Sequence, residues 1–269
     1  MKIDCRDLDI RSLLQGNYFL IPRFQRPYSW DKTNIFDFWN DTILTEDSEY
    51  FIGSIVVYGV GKNNLGIVDG QQRLTTITII LCVLRNALQN NNFNDLATGI
   101  HKLIERPDIN NKNLYVLQAE TSYPFFQESI QKQGGQSREL PVDDEEKVLK
   151  EAFDFFTEEV SGHISSIEED VVLNESEKIK KIETELQRIR DKILNLKIIF
   201  VHLESEDDAY MIFETLNTRG KDLTVADLVK NHILRNLKNT NMKVDRYKDK
   251  WTGIVKSFED SEADLSLGT

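Results

Sequence analysis

Residues Asp69-Gly70-Gln71-Gln72-Arg73 bring a carboxylate, two amides and a guanidinium together within one short stretch of a 269-residue chain. An acid of this kind can ligate a metal or accept from water. Amides orient water or phosphate, and a guanidinium grips phosphate through two parallel N–H groups. Ile67-Val68 before the stretch is apolar, and Leu74 after it opens a long apolar segment. The pattern is strand, tight turn, helix start. Asp69 and Gln72 have the spacing of a capping box, and Gly70 admits a positive φ and a close approach to the backbone. The first N–H groups of the helix would form a positive pole suited to phosphate or carboxylate. A plain capped helix after a strand fits the same residues.

Two other stretches hold basic and amide side chains at turns. Pro22-Arg23-Phe24-Gln25-Arg26-Pro27 sets Arg23, Gln25 and Arg26 between prolines that restrict the backbone. Asn217-Thr218-Arg219-Gly220-Lys221 lies between two helical patterns, one through Tyr210, Met211, Phe213 and Leu216, the next through Leu228, Ile233 and Leu234. Taken alone, the first is a rigid surface loop and the second a helix connection. If their ends meet Asp69–Arg73, an anionic ligand would face several donors, with Asp69, Glu214 or Asp222 as carboxylate for magnesium or water. No Walker-type GxxxxGK[ST] is present. His101, His163, His202 and His232 form no HExxH, HxH or HNH-like pattern, so structural or exposed roles are expected for them, and a self-contained metal nuclease is poorly supported.

The elements that must position these residues follow from periodicity. Strands are expected at Tyr18–Ile21, Phe51–Tyr58, Ile67–Val68 and Lys197–Leu203, the second with the continuous β-branched character of a sheet interior. Glycines and asparagines between Gly59 and Gly66 suit a hairpin turn. Helices are expected from Ile10 to near Gly16, from Lys32 to Leu44 with Ile35, Phe36, Phe38 and Trp39 buried, and through Ile77, Ile80, Leu81, Leu84 and Leu88 to Asn90. Leu96–Leu103 is helical, Gln131–Gln136 reads as a loop, and Glu145–Ile164 and Ser176–Leu194 form a helical hairpin. Ser205 with Asp208 and Thr224 with Asp227 are further cap signals. The segments are 1–93, an α/β core; 94–195, a helical insertion or subdomain; and 196–269, a returning strand and helices.

Composition bounds the function. The chain is 40% hydrophobic and 29% charged, as in a globular protein, and no apolar run is long enough to span a membrane. A cytoplasmic location is expected. Cys5 and Cys82 have neither disulfide nor metal spacing, and Cys82 sits in an apolar run that suits a buried, inert thiol. The net charge of −12 opposes DNA binding by bulk electrostatics, but −9 of it falls between Asp143 and Asp170, where 11 acids face two lysines. That acidic run reads as a solvated helix face, and an anion site elsewhere stays open.

Ile21-Pro22-Arg23-Phe24-Gln25-Arg26-Pro27-Tyr28-Ser29-Trp30, Phe51-Ile52-Gly53-Ser54-Ile55, Val68-Asp69-Gly70-Gln71-Gln72-Arg73-Leu74-Thr75 and Phe213-Glu214-Thr215-Leu216-Asn217-Thr218-Arg219-Gly220-Lys221-Asp222-Leu223 resemble the successive signatures of one family. It is the N-terminal domain family of GmrSD-type, modification-dependent restriction proteins. The resemblance implies an α/β (α+β) fold with a small mixed sheet of ParB/sulfiredoxin-like type and a substantial helical subdomain. It implies binding and hydrolysis of a nucleoside triphosphate (NTP), with Mg2+, in defence against modified foreign DNA. Asp69, Gln71, Gln72 and Arg73 would be catalytic, with Asp69 on the metal. Arg23, Gln25, Arg26, Gly70, Asn217, Arg219 and Lys221 would bind the nucleotide. Implied partners are an HNH-type nuclease domain, C-terminal or separate, and DNA through the complete protein, with no membrane. Two rival readings are a module that senses modified DNA without turnover and a ParB-like nuclease.

Overall fold

The computed structural model describes residues 3–23, 25–46, 50–61, 64–134, 143–205 and 208. In chain order the elements are β1 (Ile3–Asp9), α1 (Ile10–Gly16), β2 (Tyr18–Ile21), α2 (Lys32–Trp39), a π-helical turn (Asn40–Leu44), β3 (Phe51–Gly61), β4 (Asn64–Asp69), α3 (Gln71–Asn90), α4 (Asn94–Ile104), β5 (Glu105–Pro107), β6 (Asn113–Tyr115), β7 (Leu117–Ala119), a second π-helical turn (Phe126–Gln131), α5 (Asp144–Glu168), α6 (Glu175–Leu194) and β8 (Lys197–Leu203). The fold is α/β, with a six-stranded mixed sheet ordered β1-β8-β3-β4-β2-β7 and a separate β5-β6 ribbon.

The four expected strands all lie in the large sheet. β3 and β4 form the antiparallel hairpin anticipated from the glycine and asparagine turn. β2 runs parallel to β4, and β8 runs parallel to β3. Consequently the C-terminal ends of β2 and β4 and the N-terminal ends of β3 and β8 share one edge. The register sets Lys197 beside Phe51 and Leu203 beside Tyr58, so β8 leaves the sheet at the opposite edge.

Alternation divides the sheet's faces. Ile55, Val57, Ile67, Ile198 and Phe200 enter the main core, while Val56, Tyr58, Val68 and Leu203 form a smaller cluster on the other face. α3 is buried over most of its length, as its apolar character on several sides requires, and packs against α4, α5 and α6. β7, from the 94–195 segment, extends the large sheet beside β2.

Several local expectations are corrected. Phe36 is 51% exposed, because helical spacing puts Ile35, Phe38 and Trp39 on one face and leaves its neighbour outside it. The helix expected to continue to Leu44 widens into a π-turn after Trp39. Gln131, expected in a loop, ends the second π-turn fully buried, donating to the Leu117 carbonyl at 3.0 Å. β1 was not expected: Ile3-Asp-Cys-Arg-Asp-Leu-Asp is an edge strand, largely exposed, with no apolar alternation to betray it. Ser205 Oγ accepts from the Asp208 N–H at 3.1 Å, the first half of the expected cap. The helices expected after it, with the cap signal at Thr224 and Asp227, lie outside the described residues.

Candidate functional site at the N-terminus of α3

β4 ends at Asp69, and Gly70 turns the chain with φ +90°. A Cβ on Gly70 would stand 2.9 Å from Ile55 Cγ1 and 3.1 Å from the Ser54 carbonyl oxygen, so positive φ and close approach to β3 both call for glycine here. Gly70 is the cap residue of α3, and its carbonyl accepts the first helical bond from Leu74 N–H. The expected capping box is absent. Instead of bonding the helix backbone, the Asp69 carboxylate accepts from Arg73 Nη2 at 3.0 Å. This choice leaves the first N–H groups of α3 without a side-chain cap.

Arg73 is fixed at both ends of its fork. Nη1 donates to the Ile52 carbonyl at 2.6 Å while Nη2 meets Asp69, and the two side chains are 21% and 42% exposed respectively. Gly53, φ +99°, makes room for this contact, since a Cβ there would collide with Nη1. The glycine in Phe51-Ile52-Gly53-Ser54-Ile55 thus serves Arg73 directly.

The Pro22–Trp30 loop lies across this helix start and is clamped to it by amides. Gln25 Nε2 donates to the carbonyls of Ile67 and Val68, both at 3.2 Å. Gln71 Nε2 donates to the Arg26 carbonyl at 3.1 Å, and Gln72 Nε2 to the Pro27 carbonyl at 3.0 Å. Gln72 Oε1 accepts from Ser29 N–H at 2.9 Å, and the Tyr28 hydroxyl bonds with Thr76 Oγ1 at 2.8 Å. Burial drives the Tyr28 hydroxyl's pKa well above its ordinary value, so it stays neutral. The loop therefore arrives pre-ordered, with the exposed Arg26 at the helix N-terminus. Arg23 differs: it is 9% exposed, and its N–H donates to Glu120 Oε2 at 3.0 Å.

The structure brings Gln25, Arg26, Asp69, Gly70, Gln71, Gln72 and Arg73 into one neighbourhood, with Arg23 on the same loop and its backbone N–H on Glu120. Asn217, Arg219 and Lys221, with Glu214 and Asp222, lie outside the described residues. Two contributors were missed in the sequence. Glu120, after β7, holds the Arg23 backbone, and Glu145, in the first turn of α5, accepts from Tyr28 N–H at 3.0 Å and Thr121 Oγ1 at 2.8 Å. Glu145 and Glu146 are buried, which corrects the view of the acidic run as wholly solvated. A periodicity count had no means of singling them out among the acids around them.

Among the described residues no group of three or more His, Cys, Asp or Glu side chains could hold a metal. Asp69 ends β4 at this edge, and a single carboxylate suits magnesium when phosphate oxygens and water complete the shell. His101 and His163 each face a glutamate, Glu105 at 3.4 Å and Glu185 at 3.0 Å, away from the α3 N-terminus.

A mixed sheet whose strand ends carry a glycine-turned helix start, an arginine–aspartate pair and a clamped basic loop defines an α/β protein with a polar cluster at one edge. The chain belongs to the family described as GmrSD restriction endonuclease, N-terminal domain, whose model matches residues 10–234. That membership gives it a role in a restriction system. No curated protein matches it. Among the described residues no helix is long and apolar enough to cross a membrane.

Proposed function

We propose that this chain binds a nucleoside triphosphate with Mg2+ and hydrolyses it in the cytoplasm, so regulating an HNH-type nuclease domain, C-terminal or separate, in defence against modified foreign DNA. The observation that carries the reading is the uncapped N-terminus of α3 with Arg26 and the Asp69–Arg73 pair beside it. Such an end favours phosphate through free N–H groups and the helix dipole together.

Arg26 supplies an exposed guanidinium open to a ligand, and the N–H groups of Gln71, Gln72 and Arg73 receive the phosphate oxygens. Arg73, tied to Asp69 and Ile52, orients that carboxylate and adds positive charge behind it. Bound magnesium would be held by Asp69 and would neutralise charge on the phosphates. The cleft lined by Arg26, Gln71, Gln72 and Glu145 has room for about one water, far less than a nucleotide needs. The triphosphate therefore rests over the helix end, and Asn217, Arg219 and Lys221 would serve as further nucleotide-binding residues.

Phosphate release from each NTP, compared between the wild type, Asp69→Ala and Arg26→Ala, tests this. Turnover by the wild type and a loss of about 10²-fold or more in each variant is expected. Equal rates would reject the assignment, and salt-dependent duplex binding that ignores NTP would favour a DNA-sensing module.

A further inference from the structure

We propose that Glu145 is a catalytic residue of this site, holding the attacking water jointly with Gln71; the inference rests on the hydrolytic reading above. Glu145 is 7% exposed, although it stands in the most acidic part of the chain. Its Oε1 accepts from Tyr28 N–H and Thr121 Oγ1, which fixes the plane of the carboxylate. Gln71 is 6% exposed, and its Oε1 is a buried acceptor that no donor among the described residues reaches. The amide cannot be turned to relieve this, because Nε2 is needed by the Arg26 carbonyl at 3.1 Å and an oxygen there would face another oxygen.

A buried acceptor left without a donor is destabilising, so this atom points to a ligand that donates. Gln71, Thr121, Ser122, Glu145 and Arg26 line one cleft, which is large enough for about one water. Water meets the need of that cleft: one O–H serves Gln71 Oε1, the other serves the Glu145 carboxylate, and a lone pair remains. The cleft adjoins the first residue of α3, where the phosphates are proposed to sit. In the reaction the water oxygen bonds to the terminal phosphorus. The bond from that phosphorus to the bridging oxygen breaks, its electron pair leaving on the nucleoside diphosphate. One water proton passes to Glu145 and then to solvent.

Glu145→Gln separates this role from loop anchoring, because its amide oxygen still accepts from Tyr28 N–H and Thr121. The full chain is assayed with Mg2+ and whichever NTP the wild type turns over. Expected are a kcat lowered about 10²–10⁴-fold, nucleotide affinity and melting temperature like those of the wild type, and loss of the acidic limb of the kcat–pH profile. An active wild type with an equally active variant overturns this inference alone. A wild type that binds NTP but releases no phosphate overturns the hydrolytic reading, and this inference with it. Independently of activity, a crystal structure of the wild type with a non-hydrolysable NTP should show a water within about 3.2 Å of both Gln71 Oε1 and a Glu145 oxygen. A cleft filled by a protein side chain, or lacking that water, overturns the assignment even if Glu145→Gln folds poorly.

Discussion

Gly53 lies beneath the guanidinium of Arg73, so close that a Cβ at Gly53 would collide with Nη1. The glycine's positive φ of +99° leaves the Ile52 carbonyl free to take Arg73 Nη1 at 2.6 Å. A β3 residue and an α3 residue are thereby locked across the helix start, and Arg73 holds Asp69 in turn.

Gly53→Ala should therefore fail twice, by backbone strain and by expelling Arg73. Denaturant unfolding should show a loss of about 1–3 kcal/mol. A variant as stable as the wild type would mean that Arg73 is not held in this way.

Gln25 is buried to 2% exposure, with Nε2 shared between the Ile67 and Val68 carbonyls. Gln25→Leu removes the donor while keeping most of the volume, and a loss of about 1–3 kcal/mol is expected. Limited proteolysis should then cut the Pro22–Trp30 loop earlier than in the wild type; an unchanged pattern would show that the other clamps suffice.

Glu185 on α6 is held below the usual carboxylate range by the hydrogen bond from Arg188, with His163 adding to it. A lowered folded pKa gives stability that is present above the ordinary value of 4.5 and is lost as pH falls below it toward the folded value. Glu185→Gln should flatten the dependence of unfolding free energy on pH in that acidic window. An identical slope in the variant would remove Glu185 from acid unfolding.

Cys82 is fully buried on α3, and burial pushes its thiol up to about 12, whereas Cys5 on the edge strand β1 is exposed. A chromogenic thiol reagent at pH 8 should titrate one thiol in the native protein and a second after denaturation. Two rapidly reacting native thiols would contradict the packing of α3.

Much of the fold is legible in the sequence because burial imposes a period. The sheet interior at Phe51–Tyr58, the apolar α3 and the α5–α6 pair show their periods directly, and all are found. Edge elements are not legible in this way: β1 and β7 are short or charged and take their pairing from partners distant in sequence. In the site, residue types drew attention to Asp69–Arg73 and Arg23–Arg26, and the two stretches do meet. Their side-chain partners were out of reach, because a glutamine that clamps a loop and one that faces water look alike in sequence. Asp69 shows the same limit: the capping spacing with Gln72 was real, yet Arg73 one turn on competes for the carboxylate and wins by charge. Glu145 was hidden by its acidic neighbours, since only the arrival of Tyr28 and Thr121 distinguishes it.

The most direct test of the central claim is a crystal structure of this chain with a non-hydrolysable NTP and Mg2+. The account predicts phosphate oxygens within hydrogen-bonding distance of the first N–H groups of α3 and of the Arg26 guanidinium, with the metal on Asp69. A nucleotide bound elsewhere, with the helix start and Arg26 facing solvent, would contradict it.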